Sequence, residues 1–452
     1  MNHEEILQYV KDHPQAKVKL AFADIDGVLR GKYLSREKFL SVAEGLTGFC
    51  NVIFGWDSGD VAYDNATYTG WHTGYPDAPG RIDLTTFRKI PWENDLPFFL
   101  GELVDQDGSP SEVCPRQLLK KVQADATSMG YTPVFSQEFE WYNFEETPQS
   151  LHEKQFRNLT PLTPGMFGYS VLRTSLKNPF FKDLFGGLLK FGVPLEGLHT
   201  ETGPGTYEAA IAYSGVTEAA DRAVLFKTAV KEIAYLNGCM ATFMAKVDAR
   251  LPGCGGHVHQ SLWDLSLRKN LFFSEKESHH MSPLMKSYVA GQLFCLPHLL
   301  PMFAPVVNSY KRLVEGAWAP TTLTWGVDNR TVALRVLPGN AKSCRLETRV
   351  IGADVNPYLA MAASLGAGLY GIRHKMKLKQ PPTTGNGYMD FSYGTLPSTL
   401  QEATTAMKQS EVAREILGQP FVDHFVQTRE WEWRQHLKVV TDWELKRYFE
   451  II

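Results

Sequence analysis

Glu138 and Glu140 stand two residues apart in VFSQEFEWYNF, so on a strand both carboxylates project from one face. His257 and His259 repeat that spacing in GCGGHVHQSLW. In SCRLETRVIG, Arg345, Glu347 and Arg349 share one face while Leu346, Thr348 and Val350 take the other. Glu201 and Glu208 flank the glycine-rich turn of TETGPGTYEAAI. Any one of these pairs alone fits a strand facing water. Together, with carboxylate, imidazole and guanidinium mixed, they fit strands that line a polar cavity, because charged side chains are rarely buried unless paired or bound to metal. Five glutamates with a histidine form a hard, oxygen-rich ligand set, suited to Mg²⁺ or Mn²⁺ more than to zinc. Arginines beside such cations serve phosphoryl transfer, where metal and guanidinium share the charge developing on the phosphate oxygens. The chemistry indicated is metal-assisted use of a nucleoside triphosphate.

The elements that must position these groups follow from pattern. The first hundred residues alternate strand-like runs (KVKLAFADI, FLGELVD) with Gly- and Asp-rich connections, including the long segment GWDSGDVAYDNATYTGWHTGYPDAPG. A small mixed domain with a functional loop fits. Turn formers cluster in DQDGSPSEVCP, just before the helical pattern RQLLKKVQADATSMG, and place a domain break near residue 108. Between Thr217 and Asn237, Ala223, Phe226, Val230, Ile233 and Ala234 share one helical face, with Lys227 and Lys231 off it. Thr217 is the expected cap and Gly238 the expected stop. The tail from Leu396 onward is mostly helical, with ordinary amphipathic spacing.

At 452 residues the chain exceeds what one core usually serves. A net charge of −3 with no basic run argues against nucleic acid and against a polybasic membrane anchor. The six scattered cysteines suggest neither a zinc clip nor a redox dithiol, and point to a reduced, cytoplasmic setting. MNHEEILQYVKDHP does not read as a secretory signal. The apolar stretch from Gly291 to Val307 is interrupted by Pro297, Pro301 and Pro305 and is too short to span a bilayer. KLAFADIDGVLRG, with Asp24 and Asp26, imitates the first motif of haloacid-dehalogenase-type phosphatases. Without a downstream acidic pair it reads as a strand and an Asp-Gly turn.

Six segments in order, ATFMAKVDA, GCGGHVHQSLW, NSYKRLVEGAWAP, WGVDNRTVALRV, RLETRVIGADVNPYLAMAASLGAG and VTDWELKRYF, resemble the glutamine synthetase family. The resemblance implies an α+β fold. A small N-terminal β-rich, β-grasp-like domain (1–108) would precede a large catalytic domain (109–452) built on a curved antiparallel sheet flanked by helices. It implies that Glu140, Glu201 and Glu208 hold one divalent cation and that Glu138, His257 and Glu347 hold a second. His259, Arg345, Glu196 and Ser261 match positions that hold ATP. Arg312 matches the arginine that grips the glutamate carboxylate, Gly253 a glycine whose backbone meets the substrate, and Arg330, Arg335 and Arg349 those around the transferred phosphate and the substrate. The implied assembly is a homododecamer of two stacked hexameric rings with active sites between subunits. Asp57, with Asp60 and Asp64 as alternatives, is the aspartate expected to reach a neighbour's amine site.

In that family the γ-carboxylate of glutamate attacks ATP to give an acyl phosphate, which an amine then displaces. Activation comes first because a bare carboxylate is a poor acceptor for an amine.

Three positions depart from the pattern. Where the resemblance leads one to expect a glutamate before Ala-Pro, RLVEGAWAP has Trp318, and an indole accepts no proton at neutral pH. Either Trp318 is loop packing, or Glu315 replaces the missing acid, or Trp318 is a flat apolar wall for an organic amine. Pro252 stands for an asparagine that helps hold the acid substrate, and Thr206 for a glutamine. The expectation is a glutamate–amine ligase using an amine other than ammonia. An ordinary glutamine synthetase and a catalytically silent relative are the alternatives.

Overall fold

A computed structural model describes residues 1–452. Five strands form the first sheet: β1 (Lys17–Ala23), β2 (Leu29–Ser35), β3 (Leu46–Cys50), β4 (Asp77–Ile90) and β5 (Leu96–Leu103). Their order is β2-β1-β5-β4-β3, with β1 and β5 parallel and the other pairs antiparallel. The period of two decides what each face meets. Val18, Leu20 and Phe22 of β1 join Ile6, Val10, Phe39 and Val42 from the helices His3–Asp12 and Arg36–Val42 in a small core. Ala21 and Ala23, on the opposite face, belong to the main core. β5 divides the same way, with Phe99 and Leu103 on one side and Leu96, Phe98 and Leu100 on the other.

The second sheet carries the charged pairs. Its strands are β6 (Tyr131–Phe144), β7 (Leu195–Thr200), β8 (Thr206–Ile211), β9 (Ser214–Gly215), β10 (Met240–Thr242), β11 (Val258–Asp264), β12 (Trp325–Val327), β13 (Leu334–Leu337) and β14 (Arg345–Thr348). The main path runs β12-β13-β14-β11-β6-β8-β7, with β9 and β10 also pairing with β6. All pairs are antiparallel except β12 with β13. The fold is therefore α+β, a curved sheet flanked by helices.

Behind that sheet, helix Val216–Leu236 packs on β6, and Phe139 stacks on Phe226 with ring centroids 5.7 Å apart. Gly215, not Thr217, is its N-cap. Thr217 lies one residue inside, and its hydroxyl donates to Gln123 instead. Gly238 follows the C-cap Asn237 with φ of 72°, as a chain leaving a helix requires. Lys227 is off the apolar stripe yet drawn inward. Its Nζ donates to the Val355 carbonyl at 2.8 Å, and burial pushes its pKa down to about 7.

Helix Pro115–Ser128 begins where the turn-rich segment ends. Its Arg116 is buried and binds Asp221 (2.9 Å), Glu102 (2.8 Å) and Asp83 (2.9 Å), joining the first sheet to the helices behind the second. Asp24 and Asp26 sit in the turn between β1 and β2. The Asp24 carboxylate accepts from Arg30 and from the Val28 amide, and Asp26 from Arg429, so this is a structural turn and not a phosphatase nucleophile pair. All six thiols are free, and no helix is long and apolar enough to cross a membrane.

Candidate active site

Strand register brings the charged residues together. Across β6 and β8, Glu140 lies opposite Glu208 and Glu138 opposite Ala210. Across β7 and β8, His199 lies opposite Glu208. Across β11 and β14, His259 lies opposite Glu347, and across β13 and β14, Arg335 does the same. His257 and Arg349 fall just outside β11 and β14, but the Glu138 amide donates to the His257 carbonyl at 3.0 Å and so extends the pairing. The hairpin β7–β8 carries Glu201 at its bend, where the Glu201 amide donates to the Thr206 carbonyl at 2.8 Å.

These strands line a cavity of about 580 Å³. Glu138, Glu196, Glu208, His259, Ser261, Arg330, Arg335 and Arg345 face it directly. Two groups of possible ligands stand there. Glu138, His259 and Glu347 present atoms within 4.8 Å of one another, and so do His199, Glu201 and Glu208. His257 adjoins the first group, its Nδ1 being 2.8 Å from Glu138 and 3.4 Å from Glu347. Both histidines therefore flank Glu138, although only His257 is expected as a ligand from the resemblance. His199 is absent from the sequence-based set altogether. Its Nε2 is 3.7 Å from Glu208 and its Nδ1 4.0 Å from Glu201. The signal was the two-residue spacing of His199 and Glu201 in GLHTETG.

The electrostatics test whether the residues fit a cation. Burial, with the carboxylates of Glu138, Glu140 and Glu201, pushes the Glu208 pKa up to about 10. Four carboxylates this close cannot all ionise without added positive charge, and a divalent cation supplies it. At the other end Glu138 and Glu347 lie against histidines and arginines. Burial opposes the ionisation of Glu138, but His259 and His257 outweigh it and hold the carboxyl well below its ordinary range. Glu347 is fully buried and lowered likewise by His259, Arg349 and His257 against burial. Arg335 Nη1 donates to Glu347 at 2.9 Å, and Arg349 and Asp328 complete this network.

Arg330 and Arg345 make no ion pair. Arg345 Nε donates to His259 Nδ1 and Nη1 to the Ser343 carbonyl, both at 3.2 Å, which leaves Nη2 for an anion. Ser261 accepts from the Trp263 indole at 3.0 Å. Glu140 accepts from the Gly255 amide at 2.6 Å. Arg312 is buried beside the cation positions, its Nη2 3.3 Å from His257 Nε2 and its Nη1 donating to the Val350 carbonyl at 3.0 Å. Gly253 makes room for it, since a Cβ there would meet Arg312 Cγ at 2.7 Å. The Pro252 carbonyl accepts from Tyr142 at 2.9 Å, and the buried Thr206 side chain packs at Gly203 rather than in the cavity.

Asp57 and Trp318 are not among the residues that line the cavity. Asp57 accepts from the Gly59 and Val61 amides at 2.9 and 3.0 Å and from the Trp431 indole at 2.9 Å. Its alternatives are ion-paired, Asp60 to Arg30 and Asp64 to Arg434. Trp318 is 62% exposed, at φ of 56°. Glu315 is exposed and unpaired.

A family description of the glutamine synthetase catalytic domain matches residues 112–448. The chain belongs to the glutamine synthetase family. Among curated relatives of this glutamine synthetase-type chain, Type-1 glutamine synthetase 2 of Dictyostelium discoideum is 56% identical, over 100% of this chain and 87% of its own length. Glutamate–isopropylamine ligase of a Pseudomonas species is 37% identical, over 100% and 99%. A solved structure of GmaS in complex with ADP superimposes with a TM-score of 0.85 at 26% identity, covering 98% of this chain and 99% of that one. Glutamine synthetase family enzymes are oligomeric carbon–nitrogen ligases that act on small molecules with ATP and divalent metal, and the acidic and imidazole groups described above suit that chemistry.

Proposed function

We propose that the protein joins the γ-carboxylate of glutamate to an organic amine, consuming ATP and passing through γ-glutamyl phosphate. The observation that carries this is Trp318. An exposed indole stands on the loop following Arg312 where a proton-accepting carboxylate would serve ammonium. A flat apolar surface favours an amine with a carbon substituent.

In this scheme Arg312 and the Gly253 backbone hold glutamate. Arg330 and Arg345, both without a carboxylate partner, receive the phosphate oxygens, and Arg335 and Arg349 support them. His259, Ser261 and Glu196 line the nucleotide end of the cavity. Glu140, Glu201 and Glu208 would hold one Mg²⁺ or Mn²⁺, and Glu138, His257 and Glu347 another. When bound, these cations neutralise the triphosphate so that a carboxylate can approach it. Asp57 of a neighbouring subunit takes the proton of the incoming amine, which places the sites between subunits. The assembly we propose is two stacked hexameric rings.

A second reading, synthesis of glutamine from ammonia, is favoured by the 56% identical relative. One experiment separates the two: phosphate release from ATP and glutamate across a panel of amines. Turnover with isopropylamine, ethanolamine or an aromatic amine at least tenfold above ammonia is expected. Activity with ammonia alone overturns the proposal.

A further inference from the structure

The stretch from Gln380 to Leu396 contains only one short helical turn, yet it is bonded to two segments that adjoin the site. On one side, the Leu323 amide donates to the Gly394 carbonyl at 3.0 Å, the Leu396 amide to Thr321 at 2.9 Å, and the Thr322 hydroxyl to the Gly387 carbonyl at 2.8 Å. Those residues end the loop that carries Trp318. On the other side, the Gly387 amide donates to the Thr331 hydroxyl at 2.8 Å and Asn329 Nδ2 to the Gly385 carbonyl at 2.9 Å. Thr331 follows Arg330, whose carbonyl accepts from Arg349 Nε at 3.0 Å. The approach is close, since a Cβ on Gly387 would meet the Thr331 carbonyl oxygen at 2.7 Å.

Tyr388 sits at the centre of this strap and is 6% exposed. Its hydroxyl is buried without a hydrogen-bond partner, an unfavourable state for a group that can both donate and accept. The bonds from the strap to Thr321, Thr322 and Leu323 bring this residue beside the end of the Trp318 loop. Burial raises its pKa, while Arg312, Arg349 and the Trp318 and Ala319 backbone work against that rise. Nothing in the mechanism above uses this residue.

We propose that Tyr388 is a positioning residue for the amine site, its hydroxyl accepting the Trp318 or Ala319 amide when the loop seats over bound glutamate and so fixing where the Trp318 indole stands. It acts through Trp318 and touches neither nucleotide nor phosphate. The proposal deepens the amine-ligase reading and rests on it for the role of Trp318.

The test is Tyr388→Phe, which keeps the ring and removes only the hydroxyl. Amide hydrogen exchange is followed over residues 313–324, with and without Mg²⁺, ATP and glutamate. In the parent protein the ligands slow exchange there, and Tyr388→Phe loses at least fivefold of that slowing. KM for ATP stays within twofold, and the ratio of kcat/KM for a bulky amine to that for methylamine shifts at least fivefold. Ligand-induced slowing equal to the parent's, or exchange faster by the same factor with and without ligands, overturns the proposal. If the amine panel shows ammonia alone, the function proposed above fails, and the exchange comparison still decides the role of Tyr388.

Discussion

Trp431 donates its indole N–H to Asp57 Oδ2 at 2.9 Å, across 374 residues of sequence. Together with the Gly59 and Val61 amides this leaves the carboxylate little freedom to turn. The surrounding loop is docked on the same C-terminal helix, since Tyr63 packs edge-on against Trp431 and Asn65 Nδ2 donates to the Gln427 carbonyl at 2.8 Å. If Asp57 takes the amine proton, its aim depends on Trp431. Trp431→Phe is expected to lower kcat/KM for the amine about tenfold, the equivalent of one hydrogen bond to a charged group. KM for ATP should be unchanged. Equal losses for amine and ATP would show that Trp431 supports only the fold.

His199 is expected to matter for metal affinity, because its Nδ1 is held by the Thr200 carbonyl at 3.1 Å and its Nε2 stands 3.7 Å from Glu208. His199→Ala should weaken Mn²⁺ binding roughly 10- to 100-fold, as loss of a ligand or of its immediate support does. Calorimetric titration of Mn²⁺ without nucleotide reads this directly. An unchanged affinity would place His199 outside the metal site.

Trp318→Glu restores a carboxylate to the loop after Arg312. Ammonia-dependent turnover should rise at least tenfold, and turnover with the preferred bulky amine should fall by a similar factor. Parallel steady-state assays with the two amines check it. A variant whose amine preference is unaltered removes Trp318 from the account of specificity.

His424 gives a dependence of stability on pH. It is buried, neither ring nitrogen has a partner, and burial together with Arg429 pushes its pKa down to about 4. The unfolded chain, with an ordinary histidine near 6.5, binds the proton more readily between these values. The contribution of His424 is therefore fully present above about pH 6.5 and declines as pH falls towards 4, by roughly 1.4 kcal/mol per pH unit. Tm measured at pH 7.5 and pH 5 should fall less in His424→Phe than in the parent. Identical falls would contradict the assignment.

Much of the site was legible because strands have a period of two. Glu138 and Glu140, His257 and His259, and Arg345 with Glu347 announce a shared face from spacing alone, and the register of β6, β8, β11 and β14 brings those faces together. The grouping of ligands was less legible. His259 joins Glu138 and Glu347 through cross-strand distances, which no single segment encodes. His199 stands one residue before TETGPGTYEAAI, and a single imidazole ahead of a glycine-rich turn carries little signal of its own. Tyr388 carries no local signal at all, since its neighbours Trp318 and Thr331 belong to other parts of the chain and the strap between them follows no period. Thr217 illustrates a smaller failure. It is a good cap by type, but Gln123 offers its hydroxyl another partner and the helix starts earlier.

β1 has two constituencies. Phe22 and Ala23 are neighbours in sequence, yet one is surrounded by the helices of the amino-terminal region and the other by the body that carries the cavity. Sliding the strand by one residue would exchange a benzyl group for a methyl on both sides at once, overfilling one interior and hollowing the other. Neither interior can tolerate an error in β1, so this seven-residue strand, with β5 beside it, acts as a common party wall, and a flaw in it is felt in the rooms on both sides.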